Sequence, residues 1–380
     1  IYRSTDGGFS WEKRGTENIG TRPFYYAEIY VDPLNENRIY TLFSGVNVSE
    51  DGGLTFPISI GQTIHLDRHA WWINPENPRH MIDGNDGGLG ITYDMGKTWR
   101  HITNLPLGQF YHIAVDMEKP YNIYGGLQDN GSWRGPAYTW TNGGVINEFW
   151  DFLIGGDGFD ALPVPGDPRY CYAQSQGGAL RRVDLLTGNT SSIRPSGDEN
   201  QRLRFNWNSA LAQDPFDSET IYFGSQFVHK STNRGDDWEI ISPDLTTDDP
   251  DKQKQRESGG LTIDATGAEN HCTILAIEPS PLKKGLIWAG SDDGKLHITR
   301  DGGDNWLEVG KNIKGMPANA WIPQITASEH KEGEAFAVVN NYRVGDYSAY
   351  LFMTSDYGRS WKQIIDDSDV WGYVLCFVQD

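Results

Sequence analysis

The sequence predicts an all-β protein, a β-propeller of four-stranded antiparallel blades with Asp-box turns. Three observations predict this fold class. An eight-residue motif occurs six times, paired apolar strand patterns lie upstream of its copies, and glycine and tryptophan are abundant, with 44 and 14 of 380 residues. Self-similarity at a spacing of about 40–45 residues is typical of propeller blades. Glycine permits the tight turns that join short strands.

The motif, called the Asp box, reads Ser/Thr-x-Asp-x-Gly-x-Ser/Thr-Trp, with some variation between copies. Its Asp and Ser/Thr side chains are expected to hydrogen-bond the backbone of a hairpin turn, its glycine takes a positive φ, and its tryptophan packs between sheets. We therefore interpret the acidic positions as fold-forming rather than catalytic. The copies begin at residues 4, 49, 92, 231, 299 and 354, and these positions are Asp6, Asp51, Asp94, Asn233, Asp301 and Asp356.

The spacing of the copies gives the number of blades. The first three copies are 45 and 43 residues apart, the size of one blade. The gap from 92 to 231 holds three blades, and we interpret 129–133 and 183–188 as remnants of two lost motifs. Residues 1–16 are expected to form the last two strands of a blade and 371–380 the first strand of another, unless the N-terminal strands close the ring. Seven complete blades begin near Phe24, His69, Phe110, Asp157, Asn206, His271 and Trp321.

Charge and composition exclude several functions. A net charge of −20 disfavours nucleic acid as a partner, because a polyanion would be repelled. No stretch approaches the roughly 20 apolar residues of a membrane span. Cys171, Cys272 and Cys376 lie in apolar strand patterns and are interpreted as buried thiols. The sequence predicts no cofactor and no metal site, with calcium at 83–86 or 248–251 as the alternative, although neither has a complete ligand pattern.

The motifs, together with residues 22–26, 125–135, 206–208, 257–260 and 267–273, resemble a family of large extracellular bacterial proteins. These are Asp-box (BNR-repeat), sortilin-like proteins described generically as "glycosyl hydrolase, BNR repeat". The resemblance covers essentially the whole chain. It implies a secreted or cell-surface protein, or alternatively a periplasmic one, with further blades or domains outside this segment. It does not imply an activity, because the family description depends on the repeat rather than on catalytic residues.

Ligand-binding residues are expected on one face of the propeller. The loops that lead into first strands share that face with the turns between second and third strands, and such loops usually carry function. Amide, carboxylate and indole groups placed there would suit a glycan or a peptide. The predicted ligand-binding residues are Arg68, His69, Asp86, His112, Gln128, Trp150, Gln176, Asn206, Asn208, Asn270, His271, Trp321 and Trp371.

Two functions remain open. Glycoside hydrolysis needs two carboxylates, roughly 5 Å or 6.5–9.5 Å apart. Asp157 and Asp160, in a glycine-rich loop, are the first candidates, and Asp129 and Glu269 follow. Because the sequence distinguishes no pair among them, we favour a binding module for a glycan or peptide, with a glycoside hydrolase as the alternative. Residues 1–380 are interpreted as one propeller or a segment of a larger one, and 243–270 as an inserted loop over the channel face.

Overall fold

The computed structural model describes residues 1–20, 28–197, 201–262 and 265–380. The chain consists of two compact units, an N-terminal unit of residues 1–108 and a C-terminal unit of residues 109–380. Nearly all regular structure in the described ranges is β-strand. The few helices there are short 3-10 turns, and none has the length and apolar character needed to cross a membrane.

The N-terminal unit contains a two-stranded sheet and two four-stranded antiparallel sheets. Its core lies between the two larger sheets, where Trp71 packs 5.5 Å from both Tyr40 and Trp99, measured between ring centroids. The strands are β1 (Tyr2–Arg3), β2 (Glu12–Lys13), β3 (Ile29–Asp32), β4 (Asn35–Leu42), β5 (Val46–Ser49), β6 (Ile58–Ile60), β7 (Arg68–Ile73), β8 (Met81–Asn85), β9 (Gly88–Thr92) and β10 (Arg100–Ile102).

The C-terminal unit contains five four-stranded antiparallel sheets in sequence order. The strands are β11 (Phe110–Val115), β12 (Asn122–Leu127), β13 (Gly131–Pro136), β14 (Asp151–Ile154), β15 (Gly158–Pro163), β16 (Tyr170–Ser175), β17 (Ala179–Asp184), β18 (Asn189–Ser192), β19 (Leu211–Asp214), β20 (Asp217–Gly224), β21 (Val228–Ser231), β22 (Glu239–Ile240), β23 (Ile274–Pro279), β24 (Ile287–Ser291), β25 (Leu296–Thr299), β26 (Trp306–Glu308), β27 (Trp321–Ala327), β28 (Ala335–Asn341), β29 (Asp346–Thr354) and β30 (Lys362–Ile365). The 3-10 turns are Asn147–Phe149, Gln176–Gly178, Gln255–Gly260, Gly310–Asn312 and Tyr342–Val344.

Each pair of successive sheets in the C-terminal unit shares an apolar core. Tyr124 of β12 packs with Cys171 of β16, and Tyr172 of the same strand packs with Phe223 of β20 on its other side. Trp288 of β24 and Phe352 of β29 belong to the core of the last pair. Because these strands are buried on both faces, apolar residues follow one another in their centres, as in Ile221–Phe223 of β20 and Ile287–Ala289 of β24.

The six repeated turns have one hydrogen-bond pattern. In the copy that follows β9, the Asp94 carboxylate accepts hydrogen bonds from the backbone N–H and the hydroxyl of Thr98, at 2.9 and 2.7 Å. The Thr92 hydroxyl oxygen accepts the N–H of Gly96 at 3.0 Å. Met95 and Gly96 both have positive φ, 64° and 81°, which is the backbone geometry that favours glycine. Each such turn connects the third and fourth strands of its sheet, apart from the first copy, which joins β1 and β2.

The fold class is confirmed: the described residues form seven four-stranded antiparallel sheets, preceded by a two-stranded one. The predicted blade start at Phe24 lies outside the described residues. Three expectations are wrong. Cys376 is exposed and not a buried thiol, although Cys171 and Cys272 are buried as predicted. Residues 129–133 are not a lost motif, because 128–130 is the turn between a second and a third strand, β12 and β13. Residues 371–380 form no strand, although Phe377 packs on Phe336 with ring centroids 4.5 Å apart.

Candidate functional site

The first strands of the five sheets in the C-terminal unit line one cavity of about 510 Å³. We call it the inner-strand cavity. Strands β19, β23 and β27 each contribute several consecutive residues to the lining, whereas β11 and β15 contribute one each, His112 and Asp160. The volume lies within the range of small-ligand sites. The polar lining residues are His112, Asp160, Asn208, Gln213, Glu278, Gln324, Thr326, Glu329 and Gln379, and most of the others are aliphatic or proline.

His112 lies between Asp160 and Asn208 at the cavity wall. Its Nδ1 lies 3.4 Å from a carboxylate oxygen of Asp160, and its Nε2 lies 2.8 Å from the amide nitrogen of Asn208. The Gln174 amide donates to the other Asp160 oxygen at 2.8 Å and to the carbonyl of Ser209 at 2.7 Å. The imidazole therefore has a fixed orientation, although 44% of its surface is exposed.

Two cavity carboxyl groups have raised pKa values. Burial raises the pKa of Asp160, and its contacts with His112 and Gln174 act in the opposite direction. Burial raises the pKa of Glu278 to about 7, and the nearby Glu329 carboxylate raises it further, although the backbone N–H of Ala327 donates to Glu278. Such groups hold protons more readily than surface acids. They make the cavity less negative than its residue count suggests.

Side-chain amides in the cavity bind backbone groups of neighbouring segments. Gln324 of β27 donates from Nε2 to the carbonyl of Phe377 at 2.9 Å, and its Oε1 accepts the N–H of the same residue at 2.8 Å. Gln213 of β19 donates to the carbonyl of Pro163 at 2.9 Å. One glutamine thus holds both hydrogen-bonding groups of one residue in a chain that runs beside it.

The predicted catalytic residue Asp157 is occupied by internal hydrogen bonds. One of its oxygens accepts the N–H of Asp129 and the other the indole N–H of Trp207, both at 2.9 Å. Its own N–H donates to the Gln176 side chain at 2.9 Å, and the residue is only 8% exposed. This carboxylate therefore connects three loops of the unit. Asp129, the third candidate, has a positive φ of 60° in the β12–β13 turn.

The predicted catalytic residue Glu269 is also engaged within its own loop. It accepts hydrogen bonds from the N–H groups of Thr266 and Gly267 at 2.8 and 2.7 Å, and from the Thr266 hydroxyl at 2.6 Å. Partial burial opposes ionisation, but these bonds outweigh it and lower the pKa of Glu269. A carboxylate stabilised in this way is a weak proton donor. Of the four predicted catalytic residues, the described cavity lining includes only Asp160.

The predicted ligand-binding residues fall into distinct settings. His112 and Asn208 line the inner-strand cavity. Asn206 is buried and donates to Thr273 and to Asp292 at 2.9 and 3.0 Å, so it joins successive sheets. The cavity lining does not include Gln128, Trp150, Gln176, Asn270, His271, Trp321 or Trp371, of which Trp371 is fully exposed and His271 buried.

Three predicted binding residues belong to the N-terminal unit. Arg68 is fully buried, donates to Asp83 at 3.0 Å and to the carbonyl of Gly61 at 2.6 Å, and so has no surface to offer a ligand. His69 lies 3.3 Å from Asp86, and both side chains are partly exposed. The structure places Arg68 in a buried ion pair with Asp83, whereas the sequence predicted that it binds a ligand.

Sequence reasoning missed Gln213, Glu278 and Gln324. The predicted binding residues were limited to the loops and turns at one face, whereas these three residues lie within first strands. The available signal was a polar residue within a largely apolar first strand, such as Glu278 in Ile274–Pro279 and Gln324 in Trp321–Ala327.

No protein-family model and no curated protein matches the chain. Among solved structures, it is similar to a GH74 enzyme from Niastella koreensis at 15% identity, over 89% of this chain and 65% of that one, with a TM-score of 0.26. It is similar to a GH74 xyloglucanase from Xanthomonas campestris at 13% identity, over 89% of this chain and 72% of that one, with a TM-score of 0.27. It is similar to YCF48 from Cyanidioschyzon merolae at 12% identity, over 78% of this chain and 84% of that one, with a TM-score of 0.41. The chain thus spans 65% of the length of the Niastella enzyme. TM-scores this low give no basis for transferring an activity.

Proposed function

We propose that the chain is a binding module that takes up an extended peptide segment in the inner-strand cavity. The observation that carries the proposal is the pair of hydrogen bonds between the Gln324 side chain and the backbone of Phe377. A lining amide there already binds peptide backbone in the way that a captured strand would be bound. Asn208 and Gln213 each use one amide N–H, toward His112 and the Pro163 carbonyl, and each has a second N–H and an amide oxygen to offer a ligand beside aliphatic side chains such as Leu275.

The cavity chemistry supports a peptide more than a glycan. Sugars are commonly held against the flat faces of tryptophan and tyrosine, and neither residue type is among the described lining residues. The lining instead combines aliphatic and proline side chains with a few amides, which matches a peptide that carries apolar side chains. A secreted or cell-surface location, with the periplasm as the alternative, belongs to this proposal and follows from the family resemblance.

The occupied carboxylates favour binding over hydrolysis. A glycosidase needs one carboxyl to give a proton and a second one that is free to act as base or nucleophile. The carboxylate oxygens of Asp157 and Glu269 already accept hydrogen bonds from other groups of the fold. Asp160 is directed at His112 and Gln174. The proposal therefore assigns Asp157 and Glu269 to holding loops together, and Asp160 to holding His112 at the cavity wall.

Peptide and glycan arrays probed with the whole chain test the proposal, followed by titration of the best peptide against two variants. Leu275→Trp adds bulk inside the cavity, and Leu186→Trp adds the same bulk in the β17–β18 turn, where Leu186 is 77% exposed. We expect Leu275→Trp to weaken binding at least tenfold and Leu186→Trp to leave it unchanged. Equal binding by both variants, hits confined to glycans, or sugar release that Asp160→Asn abolishes would each overturn the proposal.

A further inference from the structure

Three side chains of different chemistry meet where the chain enters β23. His271 and Cys272 precede this strand, and Asp293 lies in the turn between β24 and β25. One imidazole nitrogen, the thiol sulfur and one carboxylate oxygen all lie within 4.8 Å of one another. All three residues are buried, with exposed fractions of 8, 0 and 2%. A buried set of nitrogen, sulfur and oxygen donors is the type of group that binds zinc.

The local backbone explains how two consecutive residues face one point. In extended chain, neighbouring side chains point to opposite sides. Cys272 has a positive φ of 58°, which breaks that alternation at the end of the loop. As a result, its sulfur lies 3.5 Å from Nδ1 of His271. Left-handed backbone at a residue other than glycine costs free energy, and such conformations are concentrated at functional sites.

We propose that His271, Cys272 and Asp293 form a zinc site, with water in the fourth position. Zinc–sulfur and zinc–nitrogen bonds of about 2.3 and 2.05 Å at a tetrahedral angle place the two ligand atoms about 3.6 Å apart. The observed separation of 3.5 Å fits that geometry. Thiolate and imidazole ligands favour zinc over calcium and magnesium, which take oxygen ligands.

Hydrogen bonds around the cluster would orient the carboxylate ligand. The Thr247 hydroxyl and backbone N–H both donate to Asp293 at 2.7 Å, and the Ser291 hydroxyl donates to the same carboxylate. Such outer contacts are a regular feature of metal sites in proteins. Because Thr247 belongs to the segment 243–270, a bound metal would fasten this segment to the β24–β25 turn.

The start of the segment already makes polar contacts with the same part of the fold. Arg204 forms ion pairs with Asp244 and Asp248 at 2.6 and 2.9 Å and donates to the carbonyl of Cys272 at 3.0 Å. Further along, Lys254 and Arg256 are exposed and offer cleavage sites for trypsin. Protection at these two residues therefore reports how firmly the segment is held.

Cobalt(II), which substitutes for zinc and is visible spectroscopically, tests the site in the chelator-treated whole chain. We expect one equivalent to give a thiolate-to-metal charge-transfer band and the visible bands of a tetrahedral site, both removed by zinc. Cys272→Ser should abolish the charge-transfer band. Cys171→Ser, buried in another sheet, and Cys376→Ser, exposed, should both retain it. Zinc should also slow tryptic cleavage after Lys254 and Arg256 at least tenfold in the unmodified chain.

Several results would overturn the zinc site. These are the absence of a thiolate band, a band that survives in Cys272→Ser, or a band lost in Cys376→Ser. If Cys272→Ser does not fold, His271→Gln serves as the second variant, and it must weaken cobalt binding at least tenfold. Unchanged cobalt affinity in His271→Gln would show that the 3.5 Å contact is only a hydrogen bond between thiol and imidazole.

Discussion

Replacement of Asp157 by asparagine separates a structural role from a catalytic one. The carboxylate accepts two hydrogen bonds, from the N–H of Asp129 and from the indole of Trp207, each at 2.9 Å. Asparagine has one oxygen and one NH₂ group, so one of these donors would face another donor. A hydrogen bond to a charged group contributes about 1.5–3 kcal/mol. We therefore expect Asp157→Asn to lower the free energy of unfolding by about that amount, and Asp157→Ala by about 3–5 kcal/mol.

Urea unfolding followed by tryptophan fluorescence measures both losses. The matched control is Asp304→Asn, at an exposed position of a repeated turn, which should stay within about 0.5 kcal/mol of the unmodified chain. If Asp157 had only a catalytic role, its replacement by asparagine would leave the free energy of unfolding unchanged. Unfolding of Asp157→Asn at the same urea concentration as the unmodified chain would refute the structural interpretation.

Two further predictions concern packing and pH. Gly126→Ala should cost about 3 kcal/mol, because its Cβ would collide with the backbone of Gly158 and Phe159, whereas Gly143→Ala, with open space around it, should be nearly neutral in the same urea experiment. Below pH 4, thermal stability should fall further as the pH approaches 2, and a flat profile would contradict this. Three aspartates of the repeated turns, Asp6, Asp94 and Asp301, have pKa values lowered to about 2, chiefly by a hydrogen bond from the side chain four residues further on. In the unfolded chain their pKa values are about 4, so protonation between pH 4 and pH 2 removes stability from the folded state.

The fold could be predicted because its signals are local. Each repeated turn needs a hydroxyl, a carboxylate or amide, and a glycine at fixed positions, and Asn233 shows that an amide serves as well as a carboxylate. The interpretation of 129–133 failed because Asp-Asn-Gly also suits a turn between second and third strands. Turn chemistry fixes the presence of a hairpin, but not which hairpin of the blade it is.

The site was harder to predict because its geometry depends on contacts between sheets. Asp157 and Asp160 lie three residues apart in one glycine-rich segment, yet only Asp160 lines the inner-strand cavity. Asp157 instead meets Trp207, which is 50 residues away in sequence. Similarly, His271 and Cys272 become a candidate metal site only when the β24–β25 turn brings Asp293 beside them. No spacing rule along the chain contains that information.

A crystal structure of the whole chain bound to the peptide that binds best on the array tests the proposed peptide site. We expect an extended peptide in the inner-strand cavity, with backbone hydrogen bonds to the side-chain amide of Asn208 or Gln213 and an apolar side chain against Leu275. A peptide bound to the repeated turns, or bound anywhere else with the cavity unchanged, would contradict it.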